Sequence, residues 1–222
     1  MDLEMLDRYE DWLNHVFERP VLEDGWHLDV DRPDFDADGD EIVSLITHTL
    51  ENCGTDLNGF SDEQVNFGLH YIFDSKCSQI ASALKDDGVA LLSRLRAIAA
   101  IRNLYEDCFS QRCAPVLGHI KEAGATPVNG ICYMFWHSSD LVDWEQSTVK
   151  MRFYEAILEV LAQTLADSNP ACVESALHGL GHLQRHFPSR VAEVIDTFRR
   201  KTSLGSPLLE HYAYQACRGR VR

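Results

Sequence analysis

The sequence predicts an all-α protein, and three observations carry this prediction. Apolar residues recur at intervals of three and four along most of the 222 residues, which is the spacing of one helix face. No segment shows the apolar–polar alternation that is typical of a half-buried strand. A few adjacent residues also indicate where helices begin: Ser61–Gln64 is a capping box, and Pro170 and Pro207 each stand where a helix would begin.

In the first half of the chain, the opening helix repeats apolar residues from Leu3 to Phe17 and stops before Pro20. A loop rich in Asp, Gly and Pro follows to about residue 39. The periodicity then predicts helices over 40–52, from 61 to about 72, over about 80–84, and over 90–109.

In the second half, residues 115–129 are expected to be a loop or short turn. Residues 130–144 are rich in aromatic side chains and are consistent with a short helix followed by a loop. Clearer helical periodicity covers 148–165, 170–187, 191–198 and 207–216.

Helices of about four turns joined by short loops are typical of antiparallel helical hairpins. Pro170 and Pro207 are 37 residues apart and each precedes a helix with a small residue in its middle, Ala176 or Ala213. The segment 170–219 therefore resembles a HEAT-like hairpin and the start of the next one. The resemblance implies a HEAT-like α-α superhelix, and an irregular helical bundle is the competing architecture. The 222 residues suit one domain, with an acidic part over 1–75 and a hairpin part over 76–222.

A second resemblance concerns the whole chain. The phrases Phe60-Ser-Asp-Glu-Gln-Val-Asn, Cys132-Tyr-Met-Phe-Trp-His and Ala171-Cys-Val-Glu-Ser-Ala-Leu-His-Gly-Leu-Gly-His look like those of an uncharacterised bacterial family. This resemblance implies no activity.

The negative charge is concentrated in the first third of the chain. Residues 1–75 hold 20 Asp and Glu against 3 Lys and Arg, or −17, whereas residues 76–222 hold 15 against 17, or +2. Such a surface either aids solubility or docks a basic protein partner, and it argues against nucleic-acid binding because phosphates would be repelled. The candidate partner-binding carboxylates are Asp31, Asp34, Asp36, Asp38, Asp40 and Glu41.

The same segment has the first half of a calcium loop, Asp34-x-Asp36-x-Asp38-Gly39, but Leu45 stands where the bidentate glutamate is required. A loop that ends with Asp40 as a helix cap explains these residues more simply.

The helix 170–187 carries a second candidate site. Its apolar residues share one face, and Glu174, His178, His182 and His186 follow each other at intervals of four on the opposite face. Three interpretations stay open: hydrogen bonds between packed helices, a partner-binding face, or a divalent transition metal held by His178 and His182, with Glu174 or a residue from elsewhere completing the site. Gly179 and Gly181 are costly inside a helix and indicate close approach of another element.

Two further groups of side chains are candidates for a functional role. The aromatic run Tyr133–His137, with Trp144, suggests core packing, or alternatively a partner surface anchored by Trp136 and Trp144. The seven cysteines, without an export signal or a Cys-x-x-Cys pair, predict reduced and mostly buried thiols.

The functional expectation is a cytoplasmic protein-binding module without a cofactor, consistent with an immunity or antitoxin-like inhibitor of a basic protein. The motifs of nucleotide-binding and α/β-hydrolase enzymes are absent, and no stretch is long and apolar enough to predict a membrane span. The alternative is a metal-dependent enzyme built on the Glu174, His178 and His182 face.

Overall fold

The computed structural model describes residues 3–18, 34–144, 147–201 and 206–221. Within these ranges most residues are helical and no β-strand occurs, which confirms the all-α prediction. No helix in the described ranges combines the length and the apolar character needed to cross a membrane.

Ten α-helices follow one another along the described chain: α1 (Leu3–Val16), α2 (Gly39–Asp56), α3 (Asp62–Phe73), α4 (Leu91–Asn103), α5 (Ser110–Arg112), α6 (Pro127–Ser138), α7 (Lys150–Thr164), α8 (Pro170–Leu183), α9 (Pro188–Lys201) and α10 (Pro207–Ala216). A 3₁₀ helix (Ile80–Lys85) lies between α3 and α4, and a π-helical segment (Leu104–Phe109) joins α4 to α5.

The locally encoded helix starts are confirmed. Ser61 and Gln64 form the reciprocal capping box of α3, and Pro170 and Pro207 are the first residues of α8 and α10. Each proline follows a residue whose side chain accepts a backbone hydrogen bond, Asn169 in α8 and Ser206 in α10. Caps depend on a few adjacent residues, so they can be identified without tertiary information.

Several boundaries differ from the sequence prediction; α2, for example, continues through Gly54 to Asp56 instead of ending at residue 52. The helix expected over 90–109 changes to π geometry after Asn103, and the core side chain Tyr105 within it bonds to Ser175 of α8 at 2.7 Å. Helix α6 begins at Pro127, inside the expected loop. The cap of α2 is Asp38, whose carboxylate accepts from the Glu41 N–H at 2.9 Å, and not Asp40.

Helix α8 is the centre of the molecule. It packs against α6, α7, α9 and α10, and all residues from Ala171 to Gly181 are buried. A Cβ at Gly179 would lie 2.6 Å from Leu161 of α7 and 2.7 Å from Trp136 of α6. A Cβ at Gly181 would lie 2.5 Å from Val221. The close approach expected at both glycines is therefore confirmed.

The cysteines also match the prediction. All seven are free, and Cys53, Cys108, Cys113, Cys132 and Cys172 are buried. Burial raises the pKa of Cys108 far above its ordinary value despite the nearby Arg112, so this thiol is a core residue and not an activated nucleophile.

Candidate metal centre

Three imidazoles converge where α6 packs against α8. His137 lies in the last turn of α6, and His178 and His182 are one turn apart on α8. One ring nitrogen from each residue lies within 4.8 Å of the corresponding atoms of the other two. We refer to His137, His178 and His182 as the histidine cluster.

The histidine cluster extends from the core to the surface. His178 is only 1 % exposed, His182 is half-buried and His137 is exposed. The Nε2 atoms of His178 and His182 are 3.0 Å apart. This is a hydrogen-bond distance, and it is close to the roughly 3.3 Å that separates two ligands held at about 2.0–2.1 Å on a tetrahedral zinc.

The electrostatic environment keeps the two inner imidazoles neutral. Burial, with the neighbouring His182 and His137, lowers the pKa of His178 to about 3. Burial, with His137 and Arg185, lowers the pKa of His182 to about 4. Both residues are therefore uncharged at pH 7, which is the form that binds a metal.

Two tyrosines lie on the Nδ1 side of the His178 ring. Its Nδ1 is 2.6 Å from the Tyr212 hydroxyl, which in turn is 3.3 Å from the Tyr133 hydroxyl. When His178 Nδ1–H donates to Tyr212, its Nε2 presents a lone pair to the histidine cluster. Metal-binding histidines are commonly oriented through their second nitrogen in this way.

Glu174, expected to join His178 and His182, lies in a different network. Its buried carboxylate accepts from the backbone N–H groups of Gly118 at 2.6 Å and His119 at 3.0 Å, and it also contacts the His119 imidazole. These contacts fasten the segment between α5 and α6 onto α8. His119 then stacks on Tyr212 with the ring centroids 4.4 Å apart.

His137 supplies the third nitrogen of the histidine cluster, where the sequence predicts Glu174 or a residue from elsewhere. The sequence indicates His137 only as part of an aromatic run, and no local signal marks it as a ligand. It is 41 residues from His178, and only the packing of α6 on α8 brings the two together.

The two tryptophans expected to contact a partner do not have exposed rings. Trp136 is fully buried between the central helices, and Trp144 is 3 % exposed and stacks on Phe153 with centroids 3.7 Å apart. Their assignment as partner anchors is therefore wrong, because burial inside the fold leaves no surface for a partner.

The described part of the acidic segment, residues 34–41, combines surface charge with local structural roles. Asp34, Asp36, Asp38 and Asp40 are exposed. Asp34 accepts a hydrogen bond from the Tyr71 hydroxyl at 3.3 Å, and Glu41 pairs with Arg8 at 2.6 Å.

Asp31 lies outside the described residues. The aspartates at 34, 36, 38 and 40 remain candidates for a docking surface, although Asp34 and Asp38 also have structural roles.

No protein-family model matches the chain, and no curated protein or solved structure shows significant similarity to it. The HEAT-like resemblance and the whole-chain family resemblance therefore stay predictions.

Proposed function

We propose that this protein binds one divalent transition metal, with zinc the best-fitting ion, through His137, His178 and His182, and that the ion activates water for hydrolysis. The observation that carries the proposal is the convergence of three imidazole nitrogens at the α6–α8 contact. Three histidine ligands with a water in the fourth position form one known class of catalytic zinc site.

The chemistry of the surroundings agrees with this proposal. A zinc ion held by three neutral histidines lowers the pKa of its bound water to roughly 7, which supplies hydroxide at neutral pH. Tyr133 contacts the His178 ring edge-on at 4.7 Å between centroids. Burial raises the pKa of Tyr133, so its hydroxyl, 3.3 Å from the Tyr212 hydroxyl, stays protonated beside His178.

The first test is metal binding by His137→Ala, because His137 is exposed and its removal leaves the core unchanged. We expect the wild-type protein to hold zinc at this site and the variant to bind it more weakly by at least the roughly 10–100-fold that loss of a supporting residue costs. His211→Ala, which removes an exposed histidine of α10, is the matched control. Equal zinc affinity in the wild-type protein and His137→Ala would refute the site.

The second test separates binding from catalysis. We expect zinc-loaded protein to hydrolyse an activated ester such as p-nitrophenyl acetate, and the rate to fall to that of free zinc in His137→Ala. Zinc binding without any rate above free zinc would leave the metal site standing and overturn the hydrolytic role.

A second proposed function is the docking of a basic protein on the acidic segment, in an immunity or antitoxin-like role. It rests on four aspartates exposed within seven consecutive residues, Asp34 to Asp40. Steering by such charge falls steeply as salt is added.

The test is capture of a basic protein by the tagged chain at low salt. We expect Asp36→Asn/Asp40→Asn to lose the captured protein and Glu155→Gln/Glu159→Gln, an equal charge change on the exposed face of α7, to retain it. Equal capture by both variants would contradict docking at this segment.

A further inference from the structure

A nitrogen, an oxygen and a sulfur ligand meet at the end of α3, away from the histidine cluster. His70 lies in the last turn of α3, Asp74 is its C-terminal cap and Cys77 lies in the following turn. One ligand atom from each lies within 4.8 Å of the other two, and none of the three is fully exposed.

The turn after α3 sets the positions of the oxygen and sulfur ligands. The Cys77 N–H donates to the Asp74 carbonyl at 2.8 Å. One carboxylate oxygen of Asp74 accepts from the Lys76 N–H at 2.9 Å, while the other lies 3.5 Å from His70 Nδ1. The second oxygen therefore faces the imidazole, as shared coordination of one ion requires.

The charges of the three side chains suit one divalent ion. On binding, the ion would replace the Cys77 thiol proton, which is released to solvent, and the new thiolate with the Asp74 carboxylate would balance its charge of +2.

We propose that His70, Asp74 and Cys77 form a second metal site, for a divalent ion of zinc-like softness. One thiolate, one imidazole and one carboxylate with a water complete a tetrahedral set. The bound ion would fasten the turn after α3, where Ser75 donates a hydrogen bond to Asp140 at 2.9 Å, just beyond the end of α6. This site is independent of the hydrolytic function proposed above.

Cobalt(II) titration of the full-length reduced protein tests the site, because only a thiolate ligand gives the near-ultraviolet sulfur-to-cobalt charge-transfer band. We expect the band to saturate at the intensity of one sulfur–cobalt bond per chain, whatever cobalt the histidine cluster also binds. It should disappear in Cys77→Ser and persist in Cys217→Ser, which removes the other half-buried cysteine.

The band should also persist in His137→Ala, since the histidine cluster contains no sulfur. This comparison distinguishes failure of the second site from failure of the hydrolytic centre. The proposal is overturned if the wild-type protein gives no band or if the band survives in Cys77→Ser.

Discussion

Acidification of the metal-free protein should destabilise it through His178. This residue is buried and packed against His182 on α8, His137 and Tyr133 on α6, and Tyr212 on α10. Its pKa falls from 6.5 in the unfolded chain to about 3 in the fold. The unfolded state therefore binds a proton that the folded state rejects, and stability is complete above pH 6.5 and is lost as the pH falls towards 3.

The magnitude follows from the interval between pH 5 and the unfolded pKa. This interval is about 1.5 pH units, and each unit corresponds to about 1.4 kcal/mol. Protonation of His178 alone should therefore lower the free energy of unfolding by about 2 kcal/mol between pH 7 and pH 5. Urea unfolding in the presence of a chelator at the two pH values measures the difference.

The comparison uses variants that differ only in the titrating group. In His178→Asn, whose side chain keeps a polar atom facing Tyr212, the loss between pH 7 and pH 5 should be about 2 kcal/mol smaller than in the wild-type protein. His211→Asn removes an exposed histidine and should behave like the wild-type protein. The reasoning is refuted if His178→Asn loses as much stability on acidification as the wild-type protein.

Three further predictions concern stability and are measured by urea unfolding. Gly179→Ala should lower the free energy of unfolding by about 1–3 kcal/mol because its Cβ would overlap side chains of α6 and α7. Gly130→Ala, with no atom within 4 Å of its Cβ, should instead stabilise α6 by up to about 1 kcal/mol. Equal effects of the two substitutions would contradict the packing around α8. Glu174→Gln should lower the free energy of unfolding by about 1–3 kcal/mol, because the acceptor of the Gly118 and His119 N–H groups loses its charge and one of its two oxygens. Trypsin should then cleave faster after Lys121; unchanged cleavage would show that this carboxylate does not hold the segment. Asp38→Ala should lower the free energy of unfolding by about 1 kcal/mol because the N-cap of α2 is lost, and Asp40→Ala should lower it by less. The reverse order would place the cap at Asp40.

The fold was largely predictable from the sequence because its signals are local. The capping box at Ser61 and the prolines at 170 and 207 each involve a few consecutive residues, and the structure places helix starts at all three. The π-helical segment after Asn103 could not be predicted, since its geometry accompanies the packing of Tyr105 against α8, a contact between residues 70 positions apart.

The candidate site was predictable only in part. Spacing by four correctly put His178 and His182 on one face of α8. The same face rotates by about 40° at each step of four, so Glu174 is roughly 80° away from His182 and points to the segment at Gly118 instead. His137 completes the histidine cluster through a contact between two helices, and periodicity within either helix contains no information on that contact.

The burial of α8 from Ala171 to Gly181 has a consequence for which ions the proposed site would accept. Backbone amides of such core helices open to solvent at free energies close to that of global unfolding, so we expect the helix that carries His178 and His182 to be fixed before any ion arrives. An ion that needs six ligands or a square-planar arrangement cannot reshape this helix to suit itself. We therefore expect discrimination among metals to come from the stiffness of the protein interior, with only His137, at the surface, free to adjust.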